Sequence, residues 1–416
     1  MKIKALFLSL ILCIGCDNIG KGYKWQGDEF PGFSRNYGNI GYDYGWSAAY
    51  SPFDEGFIIV GQSSPKLFEN SNLWAIKTDS RGMLEWEKKF GGDENDVGYD
   101  VISTTDGGFL LVGYTWSFGN SQQAYAIKID FHGNVQWERT YGGSVWDVAT
   151  SVIELKGGGY MIIGFSNSPG ISSGNSDIYL IKISSSGDLI WQKGYGNQTY
   201  PNHEWGYDIV ELIEGGFIAV GSRDRYNEGS TNGLIIRLDE SGNLLWEKEL
   251  LEDGQIAESI YSISITDEGA YYLCSSVNSE DSPDLFQPRI IKMDGFGNID
   301  WRRTFNSVSK EYHQFRAIAT YAGDLLITGS SSLQKGSAMK DDAFLIKIDG
   351  SGNLLWYRAY GSQDHDDWGW NVFETPKNNI VLVGSTKSFG SSLFDIYLVG
   401  TNSEGLSGTN SLGYSQ

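Results

Sequence analysis

The chain has 416 residues, with 31 Lys and Arg against 52 Asp and Glu, and a formal net charge of -21. That charge opposes nucleic-acid binding, which depends on neutralising phosphates with basic side chains, and it argues against docking on an anionic membrane surface. Of three cysteines, two stand in the leader-like first segment, which excludes a disulfide framework.

Residues 1–16 read MKIKALFLSLILCIGC: two lysines, the apolar run Ala5 to Ile14, then Gly15 before a cysteine. The run is shorter than the roughly 20 apolar residues a membrane-spanning helix needs and has the proportions of a secretory signal peptide. Its end, Ile14-Gly15-Cys16, resembles a bacterial lipobox, with Cys13 where leucine is usual. The resemblance implies cleavage before Cys16 and acylation of that cysteine; an ordinary signal peptide cut nearby, or an uncleaved anchor, is the alternative. The lipobox reading makes residues 17–31 a polar linker and places the protein at the cell envelope, lipid-anchored to an outer membrane or cell surface, as a monomer. Cys274, in the apolar run from Ala270, is then a single buried thiol with no neighbouring base to activate it.

Next comes Phe33-Ser-Arg-Asn-Tyr-Gly38, which has the lettering of the end of a repeat with no repeat in front of it. Trp86, Trp137, Trp191, Trp246, Trp301 and Trp356 follow at spacings of 51, 54, 55, 55 and 55 residues, close to the period of a propeller. One unit shows the pattern. Asp96 to Ile102 begins a strand, and Thr105-Asp-Gly-Gly108 is a tight hairpin signal. Phe109 to Thr115 is a second, apolar strand; a Ser- and Gly-rich loop leads to a third, Ala124 to Asp130. The turn Asp130-Phe-His-Gly-Asn134 has a glycine able to take positive φ, and Val135 to Tyr141 is the fourth strand. Four antiparallel strands per unit, with no helical period, predict a propeller blade.

Six complete units run from about Asp43 to Ser362. A seventh opens at Asp367 and has strands over Ile380 to Gly384 and Asp395 to Val399, but after the turn Asn402 to Gly405 no fourth strand follows. Phe33 to Gly38 supplies it, with Phe33 in the tryptophan position 53 residues before Trp86. The expected fold is therefore an all-β, seven-bladed propeller over residues 32–409, its last blade closed by the first strand, with a tail at 410–416. Closure removes two open sheet edges. Each repeated tryptophan is expected in the core, opposite the isoleucine before the lysine of the Ile-Lys-Ile-Asp strand, as Trp137 with Ile127.

These residues resemble a bacterial and archaeal β-propeller repeat family, carried by Asp106-Gly-Gly-Phe109 with Tyr125 to Gly143, and by Asp177-Ile-Tyr-Leu-Ile-Lys182 with Gly187 to Gly196. The resemblance implies a fold and an envelope or secreted setting, and says almost nothing about function. A weaker similarity, to quinoprotein propellers and a related outer-membrane assembly lipoprotein, is broken at Asp79-Ser-Arg-Gly82, which has different spacing and lacks the threonine. It leaves an assembly scaffold as one further alternative.

In a propeller the first strands line a central channel. Their heads align as Asp43, Asp96, Asp147, Glu204, Glu258, His313 and Asp367, six acids and one histidine expected around one mouth. Trp46, Tyr99, Thr150, Tyr207, Tyr261, Arg316 and Trp370 lie three positions on, and Tyr44, Trp146, Trp205 and Trp368 add aromatics in the same loops. The carboxylates have two readings, as caps turned into the backbone or as a site for a glycan, a cationic segment or an oxygen-held cation such as Ca2+. Asp93 with Asp96, and Asp364 with Asp367, are the densest oxygen-ligand candidates. No Ser-His-Asp order, phosphate loop or His-Glu-x-x-His motif is present. Non-repeating polar residues such as His203, His313 and His365 look scattered over separate blades. The leading expectation is a non-catalytic, lipid-anchored binding or scaffold protein with an envelope protein or glycan as partner and no cofactor. A carbohydrate-binding or carbohydrate-active propeller, with two carboxylates roughly 5 to 9.5 Å apart if catalytic, is the alternative.

Overall fold

A computed structural model describes residues 32–38, 40–67, 70–172, 175–196, 202–225, 230–251, 255–266, 269–279, 282–305, 315–331, 340–362, 364–390 and 393–407. The segments read as a signal peptide (1–16, with Cys16), a linker (17–31) and a C-terminal tail (410–416), and His313, lie outside them. The described residues form strands and turns with no helix. They build a seven-bladed β-propeller, each blade an antiparallel sheet of four strands, A to D from the channel outward.

The A strands of blades 1 to 7 are Tyr42–Tyr50, Asp96–Ser103, Asp147–Glu154, His203–Glu211, Gln255–Ile265, Arg316–Ala319 and Asp367–Glu374. Blades 4 and 5 are additionally joined by a parallel bridge, Thr231 to Ala257. Strands B and C are buried on both faces because a neighbouring blade covers each side, which is why they read as unbroken apolar runs such as Phe109–Thr115. The outermost strands are largely exposed instead, as in Val135–Tyr141, because their edge meets water. The core accordingly lies between blades: Leu110, Val112 and Ala126 of blade 2 pack on Val152, Ile162 and Ile181 of blade 3.

Phe33–Tyr37 is the outer strand of blade 7. It pairs antiparallel with Asp395–Thr401 from Phe33 opposite Gly400 to Tyr37 opposite Ile396, as the missing fourth strand required.

One expectation needs correction. Trp137 stands opposite Lys128, and Ile127 is opposite Glu138; the bulge falls one residue later than the turn spacing suggests, between Lys128 and Ile129. The tryptophan is consequently half-buried on the outer strand and packs against the edge of the core. Its partner is the next blade's C to D turn. A Cβ on Gly187, which has φ of 81°, would lie 2.8 Å from the Trp137 ring, and the indole N–H donates to Ser185 O at 3.1 Å. Tyr141 completes the clamp by donating to Gly187 O at 2.7 Å. The same clamp holds Gly242 through Trp191 and Tyr195, and Gly405 through Trp356 and Tyr360. Across the closure Phe33 lies against Gly82 while Tyr37 donates to Gly82 O at 2.6 Å. The Trp-x-x-x-Tyr spacing is therefore a blade-to-blade latch, read by a glycine whose positive φ and missing side chain admit the ring.

Candidate functional site

Asp43, Asp96, Asp147, Glu204, Glu258 and Asp367 are all fully buried, so they do not ring an open mouth. Asp96 accepts from Gly92 N at 2.8 Å and Ser117 Oγ at 2.7 Å. Asp147 accepts from Gly143 N and Ser168 Oγ, each at 2.8 Å, and from Ser166 Oγ. Asp367 takes Ser362 N at 3.1 Å together with Thr386 Oγ1 and Ser388 Oγ. Burial pushes the Asp147 and Asp367 carboxyls above the usual range, while these donors pull the other way. Of the two readings open in the sequence, the geometry is that of a cap. The Tyr-Gly-Gly ending follows from it: Gly142, at φ of 138°, would put a Cβ 2.2 Å from the Asp147 carboxylate, and Gly143 supplies the N–H. In blades 4 and 5 the longer Glu204 and Glu258 instead meet Arg223 at 2.7 Å and Arg289 at 3.5 Å.

The cation candidates do not converge either. Asp93 and Asp364 are exposed while Asp96 and Asp367 are turned inward, and among the described residues no three His, Cys, Asp or Glu are grouped to hold a metal. Between blades 6 and 7 the carboxylates have another consequence. Burial, then the like charges of Asp367, Asp341 and Asp366, push Asp342 up to about 7. An unfolded chain ionises it near 3.8, so its unfavourable contribution is absent below that pH, grows as pH rises, and is complete above about 7. Asp342→Asn is expected to be more stable than the parent at pH 8 by about 2–4 kcal/mol, with the gap closing towards pH 4. Thermal melts across that range check it; a gap independent of pH contradicts it.

The aromatics are brought together in part. Tyr44, Trp46, Trp368, Trp370, Tyr99 and Phe394 form one continuous stack across blades 7, 1 and 2, with Trp46 to Trp370 at 4.8 Å, Trp46 to Tyr99 at 5.7 Å and Trp368 to Phe394 at 4.1 Å. Trp205 lies apart, stacked on His203 at 5.7 Å. Trp146 has a partner that sequence reading missed. Trp116 meets it edge-on at 6.4 Å and 68°, and the two rings are 39% and 51% exposed. Their backbones are pinned by bonds from Trp116 N to Asn95 O and from Asn167 N to Trp146 O. Phe118 and Val145, also exposed, stand two residues and one residue from them in the chain. Other exposed aliphatics, such as Val135, Leu189 and Leu244, recur at the same outer-strand position from blade to blade; this pair does not recur.

A second group lies one residue past a bulge in the A strands. Register places Ser47, Asp100, Ser151, Asp208, Ser262, Arg316 and Asn371 at equivalent positions, opposite Val60, Val112, Ile163, Val220, Cys274, Thr328 and Val383. Arg316 thus belongs here and not with Trp46 and Trp370, because it stands opposite Thr328, the equivalent of Val60 and Val383. These side chains are bonded around the channel wall. Asn371 Nδ2 donates to Ser47 Oγ at 2.9 Å and Ser47 Oγ to Asp100 Oδ1 at 2.7 Å. Ser151 Oγ lies 3.0 Å from Asp100 Oδ2 and 3.2 Å from Asp208 Oδ1, and Ala317 N donates to Ser262 Oγ at 2.9 Å. Asp208 is pushed up to about 6 by burial, against the pull of Arg316 and with a push from Asp100. Residues scattered over separate blades are gathered here because every blade faces one axis. The alternation Ser, Asp, Ser, Asp, Ser at a fixed offset was the signal available in the sequence.

No profile of a known protein family matches the chain, and no curated protein does. Among solved structures it is similar to the periplasmic gluconolactonase of Pseudomonas aeruginosa, at 11% identity over 77% of this chain and 85% of that one, with a TM-score of 0.49. It is also similar to the β-propeller domain of the trilobed protease of Pyrococcus furiosus (10%, 89% and 98%, 0.49). A third is the α-L-arabinofuranosidase Arb93A of Fusarium graminearum (9%, 90% and 98%, 0.49). At these values the likeness carries no functional argument.

Proposed function

We propose that the chain is a carbohydrate-binding β-propeller of the cell envelope, held there by lipid on Cys16, with its ligand on the face that bears the D to A and B to C loops. The observation that carries this reading is the exposed, backbone-pinned pair Trp116 and Trp146. Broad aromatic faces presented to water at little conformational cost suit the C–H faces of sugar rings, and a non-recurring apolar patch on a soluble surface marks a contact site.

Asp100 and Asp208 favour a second, catalytic reading, because Ser151 holds their nearest oxygens no more than about 6 Å apart, within the span of paired glycosidase carboxylates. Asp100 argues against it. Both its oxygens are filled, Oδ1 by Ser47 Oγ and Val101 N and Oδ2 by Ser151 Oγ and Val152 N, which leaves no lone pair aimed at a substrate. Binding is the reading supported.

The test is a glycan array followed by titration calorimetry on Cys16→Ala protein, which the anchor reading expects in the soluble fraction. Trp116→Ala and Trp146→Ala should each weaken the bound glycan by about tenfold or more, since base and ring stacking contacts of this size contribute about 1–3 kcal/mol. Undiminished affinity in both variants removes the face from consideration.

A further inference from the structure

At the level of the channel where Asp100 and Asp208 stand, Arg316 is the single cation of the seven equivalent positions. In blades 2, 4 and 5 the residue at this position accepts an N–H from the following blade: Asp100 from Val152, Asp208 from Ile263, Ser262 from Ala317. A guanidinium has five donors and no acceptor, so Arg316 cannot make that bond. Among the described residues no hydrogen bond or ion pair engages its side chain, although it acts electrostatically on Asp208, two blades away. Arg316 and Asp208 are each partly open to solvent.

At the same level, Asp208 keeps acceptor capacity. Its Oδ2 takes one donor, Ile263 N at 3.0 Å, and the one hydrogen of Ser151 Oγ cannot serve Asp100 and Asp208 together. Flanking this level, the bulge residues Trp370, Trp46 and Tyr99 form one aromatic arc and Tyr207 with Tyr261, at 4.6 Å, another.

We propose that this level of the channel is a subsite for an acidic sugar, a uronic acid residue whose carboxylate pairs with Arg316 while its ring hydroxyls donate to Asp208. The inference rests on the reading that this propeller takes carbohydrate. A planar guanidinium receives a carboxylate through two parallel bonds, and an acceptor at the same level of the channel calls for O–H donors on the same ligand. A phosphate dianion fits worse, because Asp100 and Asp208 repel its second charge.

The experiment is calorimetric titration of Cys16→Ala protein with an oligogalacturonate and with the same oligosaccharide after reduction of its carboxylates to alcohols. The acidic form should bind about tenfold or more tightly than the reduced form, the scale of a charged hydrogen-bonded pair. Arg316→Gln should bring the acidic sugar down to the affinity of the reduced one, and Arg316→Lys, which keeps the charge and loses the two-pronged geometry, should fall between. Because the Arg316 side chain makes no hydrogen bond or ion pair among the described residues, the melting curve of both variants should stay cooperative. Equal binding of the two sugars to the parent, or a preference that survives in Arg316→Gln, overturns the inference and leaves the carbohydrate reading standing. Failure of both sugars to bind, while a neutral glycan from the array does, also overturns it; failure of every glycan removes both.

Discussion

A chain that begins at Gly41 should melt at a lower temperature than one that begins at Asp17, and should associate. Removing the first strand strips Asp395–Thr401 of its partner along five register pairs and leaves that strand as an open edge, a template for pairing with another chain. It also takes the buried Phe33 ring from between Gly400 and Gly82, and the Tyr37 bond to Gly82. Loss of a buried phenylalanine alone corresponds to about 3–5 kcal/mol, and blade 1 loses its latch as well. Differential scanning calorimetry with light scattering reads both effects. An unchanged midpoint in a monomeric truncated protein would refute the closure.

Arg223→Ala is the second large effect expected, at about 3–5 kcal/mol of lost stability. Arg223 is buried in blade 4, with its Nε 2.7 Å from buried Glu204 and its Nη1 3.1 Å from Glu247 and also bonded to Glu249. Removing it takes the paired guanidinium from the fully buried Glu204 carboxylate. Arg223→Met combined with Glu204→Gln should recover part of the loss, because neutralising both partners removes the uncompensated charge. Equilibrium denaturation measures the series. If the single and double variants lose the same stability, the pair is not the source of the effect.

Blade number and closure were legible because they depend on local patterns repeated along the chain: apolar runs, Asp-Gly turns, and the orphan Phe33 to Gly38 matching a strand missing after Asn402 to Gly405. The head-of-strand carboxylates were legible as a series and ambiguous in role. A carboxylate at the head of a first strand reads the same whether Gly143 and Ser168 fold over it or leave it open, and only the loop's path decides. Trp137 was misplaced by one residue because a bulge is a property of two paired strands and leaves no mark in either alone.

By itself the sequence determined the all-β class, the seven blades and which segment completes the ring, since strand periodicity and turn chemistry act over a few residues. Tertiary structure alone decided that Asp96, Asp147 and Asp367 are buried caps, that Trp116 stands against Trp146, and that Asp100, Asp208 and Arg316 stand at one level of the channel. The ring pair and the channel group draw on separate blades, and a circular fold brings them together through geometry that no local pattern encodes.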